Sequence, residues 1–68
     1  MLETMPISEK LKMLRDRRGL TLDELAEQTG LSRSALSNYE TNESKEVSQF
    51  ALVALAKFYG VSTDYLLG

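Results

Sequence analysis

A glycine between two short amphipathic segments constrains this chain more than any other feature of its sequence. On either side of Gly30, residues 22–28 and 33–40 repeat apolar side chains three and four positions apart, which places them on one face of a helix. Gly30 can adopt a positive φ without a steric penalty, and Ser32 can cap the helix that follows. The stretch from Leu22 to Thr41 therefore predicts two helices that cross over a tight turn, a helix-turn-helix.

Capping residues predict three further helices and no strand. Ser8, Ser48 and Ser62 each precede a segment with helical periodicity, and each is expected to accept a hydrogen bond from an amide of the first turn. Thr21 and Glu24 have the spacing of a capping box at the start of helix two. The predicted fold class is all-α, with five short helices.

The length of the chain favours a single domain. Its 68 residues are close to the lower limit for a self-sufficient core, and 43% of them are hydrophobic, which is enough to build one. Residues 1–6 are predicted to be a flexible lead, because Pro6 blocks an earlier helix, and residues 7–68 are predicted to form the domain. No apolar run approaches the roughly 18 residues of a membrane span, so we expect a cytoplasmic protein without a membrane partner.

The residue types that are missing exclude several kinds of chemistry. The chain has no cysteine and no histidine, so it lacks a disulfide, a thiolate metal site and the commonest general base. Its carboxylates are spread over helix surfaces, away from an apolar setting that would shift their pKa values. We therefore expect neither an enzyme nor a protein that holds a metal or another cofactor.

The complete order of these signals resembles the Cro/phage-repressor family of helix-turn-helix domains, also called the xenobiotic-response-element type. The resemblance covers about residues 7–67. The matching positions are Leu11, Leu14, Arg15, Arg18 to Thr21, Glu24 to Ala26, Gly30 to Ser32, Leu36, Ser37, Glu40, Leu52 to Ala56 and Gly60 to Ser62. Membership would imply a compact, lambda-repressor-like fold and a transcriptional regulator, expected to be a repressor, that binds double-stranded DNA sequence-specifically.

Helix three, at about residues 33–40, is expected to read the major groove with side chains that the core does not use. These side chains are Arg33, Ser34, Ser37 and Asn38. Arg33 can bond bidentately to guanine and Asn38 to adenine, whereas the two serines suit phosphate or water-mediated contacts. Alternatively, the four residues form only a solvated helix face.

A second group of residues is expected to contact the DNA backbone, because helix N-termini attract anions. It comprises Thr21, Leu22, Ser32, Asn42 and Lys45. The family usually has glutamine at the position of Leu22 and glycine at that of Asn42, so this chain departs from the family pattern there. The resemblance also implies a buried ion pair between Arg15 and Glu40, which would join helix one to the end of helix three.

The charges are unevenly distributed. The formal net charge of −2 disfavours a polyanionic partner, yet five of the eight Lys and Arg residues lie in predicted helix one. Lys10 and Lys12 of that helix have two interpretations, contact with the edge of a duplex or a contribution to solubility alone. We expect the electrostatic part of DNA affinity to be modest.

The final residues, Tyr65 to Leu67, are apolar enough either to close the core or to form a homodimer patch on the C-terminal helix. A homodimer would match a palindromic operator whose half-sites lie one helical turn apart, ~34 Å. The chain can equally be interpreted as the DNA-binding part of a longer regulator. A rival function is a helix-turn-helix protein–protein interaction module without DNA binding, which would display aromatic or large apolar residues on helix three.

Overall fold

The computed structural model describes residues 5–41 and 47–68 of the chain. These residues form five α-helices and no strand, which confirms the predicted all-α fold. In chain order the helices are α1 (Ile7–Arg18), α2 (Leu22–Thr29), α3 (Arg33–Thr41), α4 (Gln49–Tyr59) and α5 (Thr63–Leu67). None of the helices in these two ranges is long and apolar enough to span a membrane. Asn42 and Lys45, both assigned to phosphate contacts, and the first four residues of the predicted lead lie outside the described residues.

Four helices begin at the capping side chains that the sequence identified, which are Thr21 for α2, Ser32 for α3, Ser48 for α4 and Ser62 for α5. The Glu24 amide donates to Thr21 Oγ1 at 3.1 Å and the Thr21 amide donates to Glu24 Oε1 at 2.8 Å, so the predicted capping box of α2 is complete. Ser48 and Ser62 accept a hydrogen bond from the first turn of α4 and α5, respectively. Each cap satisfies an amide that the helix itself leaves without a partner.

The predicted cap of α1 is wrong. Pro6 occupies the N-cap position, where its carbonyl oxygen accepts from the amides of Glu9 and Lys10, both at 3.1 Å. Ser8 lies inside the first turn instead, and it is buried. Proline is tolerated before a helix because its missing N–H has no partner to lose there. Pro6 therefore sits at the start of α1 in addition to blocking an earlier helix.

The core is one cluster to which every helix contributes. Leu25 of α2, Leu36 of α3 and Leu55 of α4 are each only 1% exposed. The other members of the cluster are Leu11, Leu52, Ala56, Tyr59 and Leu66. Burial of this apolar surface, at about 25 cal/mol per Å², is the main favourable term in the stability of the fold. The core thereby fixes which faces of α2 and α3 remain in solvent.

The turn between α2 and α3 favours glycine at position 30. Gly30 has a φ of +78°, in the left-handed region, and its amide donates to the Ala26 carbonyl oxygen at 2.8 Å. Leu31 then packs against the core, and Ser32 Oγ accepts from the Ala35 amide at 3.2 Å at the start of α3. The predicted turn is therefore present, and it brings the start of α3 close to α2.

Lys10 joins the first helix to the last. It is 9% exposed, and its Nζ donates to the Tyr65 carbonyl oxygen at 2.6 Å and lies 4.8 Å from the centre of the Tyr65 ring. Neither interpretation offered for Lys10 from the sequence describes this buried contact, whereas Lys12 is exposed. Of the apolar C-terminal residues, Leu66 is 1% exposed and closes the core, but Leu67 is 65% exposed.

Candidate nucleic-acid interface

The first residues of α2 and α3 share one exposed surface. Nε of Arg33, the first residue of α3, lies 2.7 Å from Oδ1 of Asp23, the second residue of α2. The two side chains are 59% and 79% exposed, so this ion pair lies on the solvent side of both helices. We call residues 21–23 and 32–34, which form the N-terminal ends of α2 and α3, the N-terminal surface. Because both helices start there, the positive ends of two helix dipoles lie close together.

Backbone amides on the N-terminal surface are available to an anion. The capping box uses the amides of Thr21 and Glu24, while those of Leu22 and Asp23 have no hydrogen-bond partner in the described part of the chain. Such amides at a helix start attract anions. Leu22 can contribute only through its amide, because its side chain packs against the core.

The two hydroxyl groups predicted to contact phosphates belong to this surface. Thr21 and Ser32 are both exposed, and each hydroxyl oxygen accepts a capping hydrogen bond from an amide. A hydroxyl group has one donor as well as its acceptor lone pairs. Because capping uses the oxygen only as an acceptor, each O–H is still able to donate to a phosphate.

The four side chains predicted to read bases differ in exposure. Arg33, Ser34 and Asn38 are exposed, whereas Ser37 is half-buried. On the opposite face of the same helix, Leu36 is 1% exposed in the core. Three of the four residues therefore lie on the solvent side of α3, and Ser37 lies at the border between this face and the core.

The structure contains the Arg15–Glu40 ion pair. Nε and Nη2 of Arg15 each lie 2.9 Å from a different oxygen of the Glu40 carboxylate, and the two side chains are only 15% and 5% exposed. Nη1 donates to the Leu20 carbonyl oxygen at 2.8 Å. The hydrogen bonds to Glu40 raise the pKa of Arg15 above its ordinary value. One guanidinium thus holds the last turn of α3 against α1 and the segment that precedes α2.

Asp23 was not among the predicted site residues. It is ten positions before Arg33 in the sequence, a separation that matches no helical period. The pair forms only because the turn at Gly30 brings the two helix starts together. No local pattern could have indicated it without the crossing geometry of α2 and α3.

The chain as a whole is similar to known sequences. The family model HTH_3, described as helix-turn-helix, matches residues 11–66. The chain is 43% identical over 60 residues to YobD, an uncharacterised HTH-type transcriptional regulator of Bacillus subtilis (strain 168), and this match covers 88% of the chain and 53% of YobD. It is 39% identical over 64 residues to ImmR, an HTH-type transcriptional regulator of the same strain, over 94% of the chain and 50% of ImmR. The chain therefore spans about half the length of these two relatives.

A third relative and a solved structure extend the similarity. BcrR, an HTH-type transcriptional activator of Enterococcus faecalis, is 38% identical over 63 residues, a match that covers 93% of this chain and 30% of BcrR. The crystal structure of SinR, a master regulator for biofilm formation, in complex with DNA has a TM-score of 0.83 to this chain at 34% identity. That comparison covers 91% of this chain and 98% of the SinR chain. The arrangement of helices is thus one that a DNA-bound regulator also has.

Proposed function

Because this chain belongs to the helix-turn-helix family, we propose that it binds double-stranded DNA sequence-specifically and regulates transcription. The observation that carries the proposal is the N-terminal surface, where the starts of α2 and α3 lie side by side in solvent. The major groove of DNA admits an α-helix, and the first residues of a recognition helix contact the base edges. The regulators named among its relatives and the DNA complex of SinR support the same function.

In this proposal, Arg33 and Asn38 of α3 read bases. Arg33 bonds to the O6 and N7 atoms of a guanine, and Asn38 bonds to an adenine. Each such bidentate contact is worth about 1–3 kcal/mol of discrimination against a wrong base. Ser34 and, from its half-buried position, Ser37 supply shorter polar contacts beside them.

The phosphate contacts come from the N-terminal surface. The hydroxyls of Thr21 and Ser32 and the amide of Leu22 bind phosphates on either side of the groove that α3 enters. Contacts by Asn42 and Lys45 stay predictions from the sequence. These contacts position the domain on DNA, and they do not themselves select a base sequence.

Two finer points, the form of the operator and the location, are also part of the proposal. We propose a palindromic operator with half-sites ~34 Å apart, as a pair of such domains would require. We propose a cytoplasmic location, because the DNA of bacteria such as those of the relatives lies in the cytoplasm. The repressor role stays a prediction, since DNA binding by this domain suits repression and activation equally, and one relative is named an activator.

The C-terminal helix offers little surface for a homodimer. Its exposed large apolar residues are Tyr65, at 43% exposure, and Leu67, at 65%. A stable interface usually buries about 800 Å² on each partner, far more than two side chains supply. We therefore expect at most weak dimerisation through α5 alone. Sedimentation at high micromolar concentration measures this, and a stable dimer would contradict the expectation.

An interaction module without DNA binding is the weaker candidate. In the described part of the chain, the exposed large apolar residues are Phe50, Tyr65 and Leu67, which belong to α4 and α5. The exposed face of α3 is polar and hydrogen-bonding instead. Protein interfaces are centred on aromatic and large side chains, so the composition of α3 favours DNA as its partner.

A salt-dependent NMR titration tests the proposal. We expect a mixed pool of duplexes at low salt to shift the backbone amides of Thr21, Leu22 and residues 32–38. The shifts should fade as salt is added, because phosphate binding releases counterions. Shifts confined to α4 and α5, or no shifts at all, would contradict the proposal and favour a protein partner.

Selection of duplexes from a random pool tests sequence specificity. With the selected operator, Arg33→Ala and Asn38→Ala should each lose about 1–3 kcal/mol of discrimination at the base pair that the side chain reads. Lys57→Ala removes an exposed cation from α4 and is the control, which should keep the full preference. If all three variants keep the same preference for the operator over its single-base variants, base reading by α3 is contradicted.

A further inference from the structure

Asp23 places a negative charge where the proposed function requires a negative ligand to bind. Its side chain is 79% exposed on the first turn of α2, beside Arg33 and the free amides of the N-terminal surface. A carboxylate and a phosphate repel each other, so an acid at this position should weaken binding to every duplex. A first-turn carboxylate also favours the start of a helix, and a test must separate that structural role from any role in DNA binding.

We propose that Asp23 is a specificity-determining residue that acts through Arg33, an inference that rests on the proposed function. In the free protein, its carboxylate compensates the charge of the guanidinium at an N–O distance of 2.7 Å. Arginine has five N–H donors in a rigid fork, so donors remain for guanine while the carboxylate stays close to Nε. A phosphate attracts Arg33 mainly through the positive charge of the guanidinium. The Asp23 carboxylate already compensates that charge. Asp23 therefore weakens phosphate contacts of Arg33 more than guanine contacts.

The exposure of this ion pair sets the size of the effect. Water screens both charges, so Asp23 cannot lock Arg33 in one position. Asp23 changes, by a small factor, the ratio between the affinity of Arg33 for guanine and its affinity for phosphate. Glu27 supplies a matched control, because it is exposed on the same helix one turn later and forms no ion pair with any described residue.

The experiment begins with an operator selected for the wild-type protein from a random duplex pool. Affinity is then measured for this operator, for its single-base variants and for a non-specific duplex, each at several salt concentrations. The proteins compared are wild type, Asp23→Asn, Glu27→Gln, Arg33→Ala and the double variant of Asp23→Asn with Arg33→Ala. Arg33→Ala identifies the base pair that Arg33 reads.

We expect Asp23→Asn to bind the non-specific duplex about two- to fivefold more tightly, with a salt dependence steeper by about one phosphate contact. Its preference at the Arg33 base pair should fall by a similar factor. Glu27→Gln should change affinity for all duplexes alike and keep that preference. In the double variant, the effect of Asp23→Asn on the preference should disappear, because Arg33 is absent.

Two negative results have different meanings. If Asp23→Asn and Glu27→Gln show the same preference at the Arg33 base pair, the inference is wrong although DNA binding stands. If the pool yields no enriched sequence, the proposed function fails and the inference fails with it. A weaker helix start in Asp23→Asn would lower the melting temperature, but it would leave the preference at one base pair unchanged.

Discussion

Arg15 of α1 binds both carboxylate oxygens of Glu40 at the end of α3, with N–O distances of 2.9 Å for Nε and for Nη2. The Glu40 side chain is only 5% exposed, so water cannot take the place of Arg15 as its partner. The pair fixes α3, whose outer face carries the proposed base-reading residues, relative to α1. Removal of one partner would leave a charge with little solvent around it.

Glu40→Ala should therefore destabilise the domain by about 3 kcal/mol, which for a domain of this size lowers Tm by about 12 °C or more. Thermal unfolding monitored by circular dichroism measures the fall in Tm. A variant that combines it with Arg15→Ala should lose less than the sum of the two single losses, because neither charge stays buried alone. Glu27→Ala removes an exposed glutamate and should change stability by less than about 0.5 kcal/mol. A fall of only one or two degrees for Glu40→Ala would contradict the prediction.

Lys10→Met tests the contact between α1 and α5. The substitution keeps a long apolar side chain but removes the ammonium group, which leaves the Tyr65 carbonyl oxygen without its donor. We expect a loss of about 1–2 kcal/mol in the free energy of unfolding, measured by urea denaturation. Lys12→Met, at an exposed position of the same helix, is the control and should cost less than about 0.5 kcal/mol. Equal urea midpoints for the two variants would show that the contact does not stabilise the fold.

Substitution of Gly30 tests the turn of the motif. A Cβ at this position would meet no atom within 4 Å, so the cost of Gly30→Ala comes from the backbone φ of +78° and not from a clash. We expect a loss of about 1–2 kcal/mol for alanine in this left-handed conformation. Gly30→Asn should cost less, because asparagine adopts that conformation more readily. Urea denaturation of the two variants makes the comparison, and equal losses would refute the backbone explanation.

The pKa of Tyr59 predicts that the protein loses stability at high pH. Burial raises the pKa of Tyr59 to about 12 from 10.0, and the charge of Glu40 adds to the rise. The folded state therefore holds this proton more tightly than the unfolded state does. Its contribution to stability is fully present below about pH 10 and is lost as pH rises from about 10 to 12.

Tyr59→Phe removes the titrating group and is the matched variant. At pH 7 we expect the variant to have an equal or higher Tm, because the buried hydroxyl has no hydrogen-bond partner among the described residues and its removal breaks no hydrogen bond. Between pH 10 and 12 the wild type should lose stability relative to the variant. Parallel Tm profiles of the two proteins up to pH 12 would contradict the raised pKa.

The fold was predictable because most of its signals are local. The capping box of Thr21 and Glu24 and the left-handed glycine Gly30 each act within a few residues, so the sequence alone identifies them. The error at the start of α1 arises because proline also suits the position before a helix, so residue type alone does not decide between Pro6 and Ser8. Ser8 has the right residue type for a cap, but it is buried in the first turn, and Pro6 occupies the cap position.

The candidate site was predictable only in part. Helical periodicity assigns Leu36 to the core, and the exposed positions of Arg33, Ser34 and Asn38 follow from that assignment. The Arg15–Glu40 pair, 25 positions apart, came from the resemblance to a family and not from any periodic pattern. Long-range contacts of this kind depend on how the helices cross, which a single sequence does not encode in a local signal.

The contact of Lys10 with Tyr65 bridges 55 positions of the chain, so it can form only after nearly all of the domain has been synthesised. At synthesis rates of roughly 5–20 residues per second, the ribosome completes α5 about 3–11 s after it has made Lys10. During this interval α1 can already pack against α3, but the contacts of α5 with α1 and the burial of Leu66 in the core are still missing. A nascent chain stalled before residue 65 would carry α3 without a closed core, and its exposed apolar surface would make it prone to aggregation.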